Sequence, residues 1–187
     1  MNLAVDLQFT KDEFLRWVQD QEHRFELSNG KAVMMHGGTR GHAQIILALA
    51  ITLSRIIDRS KWSLTASDLA VEIQGDIRYP DIVVEPAGLD SSQMSTDCPA
   101  LVAEVLSTSS LALDLNVKAR EYLSLPSLQA YLVAAQDEAR NWLWERGKDG
   151  EFPNEPVEVH GKEKSVALHC FGVSVSMAEI YLSLPGV

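Results

Sequence analysis

The sequence RYPDIVVEP (Arg78–Pro86) is followed, after a polar loop, by PALVAEVLSTSS (Pro99–Ser110) and LALDLNVKAREYLSL (Leu111–Leu125). The first two segments are apolar runs of strand length, and the third has the apolar spacing of a helix. Each strand carries one acid, with Asp81 opening the first strand and Glu104 near the end of the second. Two apolar strands and a helix in this order predict the centre of an α/β fold with a mixed sheet.

The two strand acids are the first candidate site. If the strands form an antiparallel pair, the start of one lies opposite the end of the other, and Asp81 meets Glu104 at one end of the sheet. A carboxylate in a buried strand is costly unless a cation satisfies it, and we identify nothing cationic near either acid in the sequence. We therefore expect a bound divalent cation, because carboxylate oxygens favour hard ions such as Mg²⁺ or Mn²⁺.

The predicted helix after the second strand brings a positive charge toward these acids. Asp114, Lys118 and Tyr122 recur at i, i+4 and i+8, so they lie on one helical face. Lys118 is the residue that would supply the cation that a nuclease site needs. The alternative is that Asp114 and Lys118 form only a surface ion pair, worth a few tenths of a kcal/mol.

These segments resemble the PD-(D/E)XK nuclease superfamily, and more closely its Uma-two branch of restriction-endonuclease-like proteins. The matching segments keep their order over most of the chain: FELSNG (Phe25–Gly30), His42 opening a long apolar helix, YPDIVV (Tyr79–Val84), LVAEVLS (Leu101–Ser107), the Asp114–Lys118–Tyr122 face and AYLVA (Ala130–Ala134). The lysine of the superfamily lies two residues after the strand acid, and Leu106 stands at that position here. The resemblance implies that Lys118, on the next helix, takes its place.

The resemblance implies a fold and an activity. The fold is a restriction-endonuclease-like α/β core, a central mixed β-sheet flanked by helices, with an N-terminal hairpin and C-terminal strands, in a single domain over residues 1–187. The activity is hydrolysis of phosphodiester bonds, with DNA as the first expectation and RNA or nucleotides as the alternative. Asp81, Glu104 and the carbonyl of Val105 would hold Mg²⁺ or Mn²⁺, and Lys118 would complete the catalytic set. The rival interpretation is a non-catalytic binding or regulatory module of the same fold.

Glu26 and His42 are secondary candidates with two interpretations each. Glu26 lies in the first strand of a hairpin that turns at Asn29-Gly30. It is either an extra acid near the metal, as the resemblance implies, or a solvated strand residue. His42 lies in the first turn of the long helix and either contacts the substrate or is structural. Arg40 beside it is either part of an anion site at the helix N-terminus or a plain surface residue.

The other elements follow from periodicity and turn residues. We expect helices over 11–19, 39–58 and 177–182, and strands over 64–73, 130–134, 140–146, 156–160 and 165–169. The helix over 39–58 is apolar almost all round, which predicts deep burial. Trp142 and Trp144 share one face of their strand and should pack on the core or on the partner in a homodimer. Glu85, at the end of the first central strand, has no predicted role.

Composition narrows the class of protein. The formal net charge of −10 argues against a broad nucleic-acid-binding surface, although it leaves room for a local basic patch. Two cysteines do not suggest a disulfide framework. We identify no secretory signal in the N-terminal residues and no apolar run of the roughly 18 residues that a membrane span needs. The sequence therefore predicts a cytoplasmic protein.

Overall fold

The computed structural model describes residues 4–106 and 113–182. The strands are β1 (Ala4–Gln8), β2 (Phe25–Ser28), β3 (Lys31–Met34), β4 (Trp62–Ala66), β5 (Ala70–Ile73), β6 (Asp76–Arg78), β7 (Ile82–Pro86), β8 (Ser95–Thr96), β9 (Leu101–Leu106), β10 (Ala130–Ala135), β11 (Arg140–Glu145), β12 (Val157–His160), β13 (Ser165–Leu168) and β14 (Val173–Ser176). The α-helices are α1 (Lys11–Trp17), α2 (Arg40–Ile56), α3 (Ala119–Leu123) and α4 (Met177–Ile180). A π-helix, Leu113–Lys118, leads into α3. The predicted helix cap at Ser107–Ser110 lies outside the described residues.

The central sheet is mixed, as the sequence predicts. Its strand order is β12-β11-β10-β9-β7-β4. The β9–β10 pair is parallel, whereas β7 pairs antiparallel with both β9 and β4. The parallel pair requires a long crossover, and the segment between β9 and β10 contains the π-helix and α3. The structure is therefore an α/β fold in which the two acid-bearing runs, β7 and β9, are neighbouring interior strands of the sheet.

Both faces of the central sheet are covered, which explains why all six residues of β9 are buried. On one face, Leu101 and Ala103 belong to a core cluster with Leu49 of α2. On the other face, Val102 and Leu106 belong to a cluster that contains Tyr122 of α3. Since side chains alternate along a strand, Glu104 points to the same face as Val102 and Leu106. That face is the one from which α3 approaches.

A second six-stranded sheet, with the order β1-β3-β2-β6-β5-β8, lies on the α3 side of the central sheet. The predicted hairpin is confirmed as β2–β3, with Asn29 and Gly30 at positive φ angles of 51° and 75° in its turn. The hairpin is an integral part of this sheet because β2 also pairs with β6. It therefore sits close enough to the central strands to contribute to a site there.

The predicted strand over 64–73 is wrong, because the chain changes sheets within it. β4 ends at Ala66 in the central sheet, and β5 begins at Ala70 in the second sheet. Ser67 adopts a positive φ of 74° between them, and its N–H donates to the carbonyl of Asp81 at 2.9 Å. An apolar run has the same periodicity on either side of such a turn, so the alternation alone did not reveal the break.

The long helix α2 is buried on one side only, which corrects the expectation of burial all round. Ile45, Leu49 and Leu53 are fully buried against the central sheet. Leu47 is 61% exposed and Ile51 is 42% exposed on the opposite side. Within the described ranges, no helix combines the length and apolar character needed to cross a bilayer.

The tryptophans of β11 pack inside the protein. Of the two predicted locations, the core and a dimer interface, the structure shows the core. Trp144 stacks on Tyr131 with ring centroids 5.6 Å apart. The guanidinium of Arg140 lies 4.6 Å from the ring centroid of Trp142. Both indole rings are buried, so neither is available to a partner subunit.

Candidate active site at the end of the central sheet

Asp81 and Glu104 occupy neighbouring positions at one end of the β7–β9 pair. The register pairs Ile82 with Ala103, and one further step along the antiparallel ladder places Asp81 opposite Glu104. The N–H of Val105 donates to Asp81 Oδ2 at 2.7 Å, which holds this carboxylate against β9. The pair is antiparallel, which was the condition of the prediction, and it brings the two acids to the same sheet end.

Lys118 reaches these acids from the end of the π-helix. Its Nζ lies 3.1 Å from Glu104 Oε1 and 3.4 Å from Glu26 Oε1. Lys118 is only 8% exposed, so it is not the surface residue of the ion-pair alternative. The side chain of Asp114 lies outside the part of the chain whose side chains are described. Lys118 thus has its charge between two buried carboxylates rather than in solvent.

Tyr122 extends the same helical face toward Glu104. Its side chain is fully buried, and its hydroxyl donates to Glu104 Oε1 at 3.1 Å. Burial, together with the nearby carboxylates of Glu104 and Glu26, raises the pKa of Tyr122 well above its ordinary value. Tyr122 therefore remains a neutral hydrogen-bond donor, and Glu104 Oε1 receives both an ammonium and a phenol.

Glu26 is a buried member of the same cluster. It is 7% exposed, which excludes the interpretation as a solvated strand residue. Its Oε1 accepts a hydrogen bond from the N–H of Tyr79 at 3.2 Å and also lies near Lys118 Nζ. Its Oε2 lies 3.3 Å from Arg78 Nη1. The second sheet therefore delivers an acid to the end of the central sheet, as the resemblance implies.

Arg78 and Glu121 belong to the cluster and were missed by sequence reasoning. Arg78 is 3% exposed, and its Nε and Nη2 donate to the two carboxylate oxygens of Glu121, each at 2.8 Å. Its Nη2 also donates to Ser28 Oγ at 3.2 Å. Although burial lowers the pKa of Arg78, the carboxylates of Glu121 and Glu26 outweigh it and raise that pKa overall. The guanidinium is charged and bidentate.

The premise that nothing cationic stands near either acid in the sequence was wrong, whereas Lys118 does lie beside Glu104. Arg78 stands three residues before Asp81, and Glu121 stands three residues after Lys118, on the adjoining turn of the helix. These short spacings were the available signal. Neither spacing reveals the contact between Arg78 and Glu121, because this ion pair joins the second sheet to α3.

His42 approaches the acids from the opposite face of the sheet. Its backbone N–H donates to Thr39 Oγ1 at 3.1 Å, which caps α2. Its ring Nε2 lies 2.9 Å from the carbonyl oxygen of Val105 and 3.6 Å from Asp81 Oδ2. The contact to a carbonyl requires a proton on Nε2. His42 is thus adjacent to two of the three expected metal donors, whereas Arg40 is exposed.

The donors at this sheet end fit a hard divalent cation. Asp81 and Glu104 offer carboxylate oxygens and Val105 offers a carbonyl oxygen, the ligand types that Mg²⁺ takes alongside several waters. No group of three or more Asp, Glu, His or Cys side chains suited to a metal occurs among the described residues. Sites that bind Mg²⁺ through one or two carboxylates leave the remaining ligand positions to water. The described cluster also has four acids, Asp81, Glu104, Glu26 and Glu121, against the two bases Arg78 and Lys118. An added cation would reduce that excess of negative charge.

A mixed sheet with acids and a lysine gathered at one end defines a restriction-endonuclease-like α/β protein. The fold matches a crystal structure described as "a putative nuclease belonging to DUF820" from Anabaena variabilis, with a TM-score of 0.71. The match covers 93% of this chain and 98% of the other, at 14% sequence identity. At that identity, the likeness concerns the fold alone.

The sequence itself matches the family model described as "Uma2: Putative restriction endonuclease" over residues 11–178. The protein belongs to this family, which confirms the resemblance seen in the motifs. Two uncharacterized proteins of Synechocystis sp. are each 31% identical to it. The first, slr1290, aligns over 92% of this chain and 91% of its own length, and the second, sll1609, over 73% and 80%.

Proposed function

We propose that this protein is a metal-dependent nuclease that hydrolyses phosphodiester bonds, with DNA as its substrate. The observation that carries the proposal is the meeting of Asp81, Glu104 and Lys118 at one end of the central sheet. Membership of a family described as "Putative restriction endonuclease" supports it, as does the likeness of the fold to a protein described as "a putative nuclease". A fold alone does not establish an activity, so the activity is inferred from the site.

In this proposal, Asp81, Glu104 and the carbonyl of Val105 hold Mg²⁺ or Mn²⁺. When bound, such an ion lowers the pKa of a coordinated water and polarises the phosphoryl oxygen. His42 orients the peptide that carries the Val105 carbonyl, because its Nε2 lies 2.9 Å from that oxygen. The backbone N–H of Val105 orients Asp81 by donating a hydrogen bond to its Oδ2.

Lys118 supplies the positive charge that the strand position of Leu106 lacks. Its ammonium orients the attacking water or balances the charge that develops on the phosphoryl group. Glu26 gives this ammonium a second carboxylate, 3.4 Å away, in addition to Glu104. Lys118 therefore keeps an anionic neighbour if Glu104 turns toward a cation.

The proposal extends to assembly and location. A protein with a net charge of −10 would contact nucleic acid through a restricted surface near the site. We further propose a homodimer that uses the late strands, a cytoplasmic location and a single domain over residues 1–187. Because Trp142 and Trp144 are buried, the candidate contact is β12, which lies at the edge of the central sheet with Val157 exposed.

The second candidate function is a non-catalytic binding module of the same fold. Two observations favour it: Leu106 occupies the strand position of the superfamily lysine, and the overall charge is strongly negative. Such a module would keep the acid cluster as a structural ion network without hydrolysing any substrate.

One experiment separates the two candidates. Supercoiled DNA, single-stranded DNA and RNA are incubated with the wild type, Asp81→Asn and Glu104→Gln, each in Mg²⁺ and in Mn²⁺. The nuclease proposal expects cleavage of DNA by the wild type and none by either variant, while Glu179→Gln, an exposed acid on α4, cleaves normally. If the folded wild-type protein cleaves none of these substrates, the binding module replaces the nuclease as the proposed function.

A further inference from the structure

Two hydrogen-bond donors hold the same carboxylate oxygen of Glu104. Lys118 Nζ and the hydroxyl of Tyr122 each lie 3.1 Å from Oε1. A carboxylate oxygen has about two lone pairs, so these two donors take up the acceptor capacity of Oε1. A cation that binds Glu104 in this arrangement would therefore bind it through Oε2 alone.

Asp81 is also held by one oxygen. Its Oδ2 accepts a hydrogen bond from the backbone N–H of Val105 at 2.7 Å, and Nε2 of His42 lies 3.6 Å from the same atom. The third expected metal donor, the carbonyl of Val105, has a single oxygen by its chemistry. The three donors of the candidate cation site thus each suit binding through one oxygen.

Binding through single oxygens separates divalent cations of equal charge. Mg²⁺ demands a near-octahedral shell and usually keeps several waters beside one or two carboxylates. Ca²⁺ accepts about six to eight oxygens in a flexible shell and often takes both oxygens of one carboxylate. Donors that occupy Oε1 of Glu104 therefore deny Ca²⁺ a ligand that it would use, whereas Mg²⁺ loses nothing.

Packing fixes the hydroxyl of Tyr122 beside Glu104. The side chain of Tyr122 is fully buried on α3, and its ring centroid lies 5.1 Å from that of Tyr131. Tyr131 in turn stacks on Trp144 of β11. A buried hydroxyl needs a hydrogen-bond partner, and Glu104 is that partner. The aromatic packing therefore keeps this donor on Oε1 even when Lys118 moves toward Glu26.

We propose that Tyr122 is a positioning residue that restricts Glu104 to binding the cation through one oxygen and so favours Mg²⁺ over Ca²⁺. This role rests on the cation site of the proposed function and does not depend on cleavage of any substrate. Lys118 assists by donating to the same oxygen. Loss of the Tyr122 hydroxyl frees a lone pair of Oε1, which Ca²⁺ is able to use and Mg²⁺ is not.

The test is calorimetric titration of the metal-free protein with Mg²⁺ and, separately, with Ca²⁺. The wild type should bind Mg²⁺ at least as tightly as Ca²⁺. Tyr122→Phe keeps the ring and removes only the hydroxyl. It should shift the ratio of the two affinities toward Ca²⁺ by about tenfold, the contribution of one hydrogen bond to a charged group. The ratio is measured because a general loosening of the site or a change in its charge affects both divalent ions alike.

A second variant and a matched control accompany Tyr122→Phe. Lys118→Met removes the other donor from Oε1 and should shift the ratio in the same direction. Tyr181→Phe is the control, because Tyr181 is also fully buried and its hydroxyl donates to the carbonyl of Arg140 at 2.8 Å. This control should keep the wild-type ratio.

The outcomes separate this role of Tyr122 from the proposed function. An unchanged ratio in folded Tyr122→Phe would overturn the role and leave the proposed function intact, as would a wild type that binds Ca²⁺ more tightly than Mg²⁺. If Tyr122→Phe does not fold, an unchanged ratio in Lys118→Met has the same meaning. An equal shift in Tyr181→Phe would also overturn the role. A wild type that binds neither ion would overturn the proposed cation site as well.

Discussion

At the residue scale, Glu104 is the side chain on which the site converges. Its Oε1 accepts hydrogen bonds from Lys118 and from Tyr122, both at 3.1 Å. Lys118 in turn lies near Glu26, so one lysine links an acid of the central sheet to an acid of the second sheet. Substitution can separate the roles of these residues, because the loss of a positive charge and the loss of a metal ligand affect DNA cleavage and metal binding differently.

Lys118 carries the prediction that separates enzyme from module. Lys118→Ala and Lys118→Met should both lower the rate of DNA cleavage by about 10²–10⁴-fold, since the charge rather than the carbon chain acts on the water or the phosphoryl group. Cleavage of supercoiled DNA in Mg²⁺ and Mn²⁺ is the measurement. Both variants should still bind the metal by calorimetry. Cleavage at the wild-type rate would remove Lys118 from the catalytic set.

Asp81 carries the prediction about the cation. Mg²⁺ or Mn²⁺ should raise the melting temperature of the wild type by mass action, because the native state alone has the assembled donors. Asp81→Ala should lose the metal-dependent shift and most of the affinity measured by calorimetry. Equal affinity in the wild type and in this variant would place the metal elsewhere.

At the element scale, the short helix α3 connects the second sheet to the central sheet. It has only five residues, too few to be stable alone, so its position depends on tertiary contacts. Tyr122 turns toward Glu104, whereas Glu121 turns toward Arg78 of β6. The bidentate Arg78–Glu121 pair therefore holds the helix that follows Lys118 in register with the acids.

Arg78 carries the prediction about this connection. Arg78→Met should destabilise the protein by about 3–5 kcal/mol, because it leaves Glu121 without its cation and the buried Glu26 with only Lys118. Urea unfolding measures the change. Arg55→Met, at an exposed position of α2, is the matched control and should cost little. If the double variant Arg78→Met/Glu121→Gln regains part of the lost stability, the uncompensated charge of Glu121 is the cause. Equal stability of Arg78→Met and the control Arg55→Met would refute the prediction.

At the scale of the whole molecule, exposed apolar side chains are scattered over several elements, and α2 and β12 each carry one of the more exposed of them. Leu47 on α2 and Val157 at the start of β12 are each 61% exposed. β12 also presents one edge of the central sheet, where backbone groups are able to pair with another chain. A homodimer through β12 would extend the sheet across two subunits.

The dimer is tested by light scattering at micromolar concentration. The wild type should have the mass of two chains, in keeping with the frequency of twofold assemblies. Val157→Glu should give a monomer because it places a charge at the strand edge. Leu47→Glu, an equally exposed apolar residue on another face, should leave the dimer intact. A wild-type monomer would reject the proposal, and dissociation by Leu47→Glu alone would move the interface to α2.

Local patterns in the sequence determined much of the fold. The apolar runs of β7 and β9 carry an acid at the start of one and near the end of the other, so the meeting of Asp81 with Glu104 followed once an antiparallel pair was assumed. The Asn29-Gly30 turn determined its hairpin, since few other residues accept positive φ at both central positions. These features depend on neighbours along the chain or on a single strand pairing, which alternation and turn chemistry encode directly.

The tertiary structure alone decided which positive charges lie beside the acids of the candidate active site. Arg78 and Glu121 are separated by 43 residues, and Arg78 and Glu26 by 52, so no local period connects them. The break at Ser67, which sends the chain from one sheet to the other, is equally invisible to alternation. Burial of Glu85, whose Oε2 is shielded from solvent and has no hydrogen-bond partner, was likewise not evident from its place near the end of a strand. In each case the deciding term is the desolvation of a polar group, which depends on what packs around it in three dimensions.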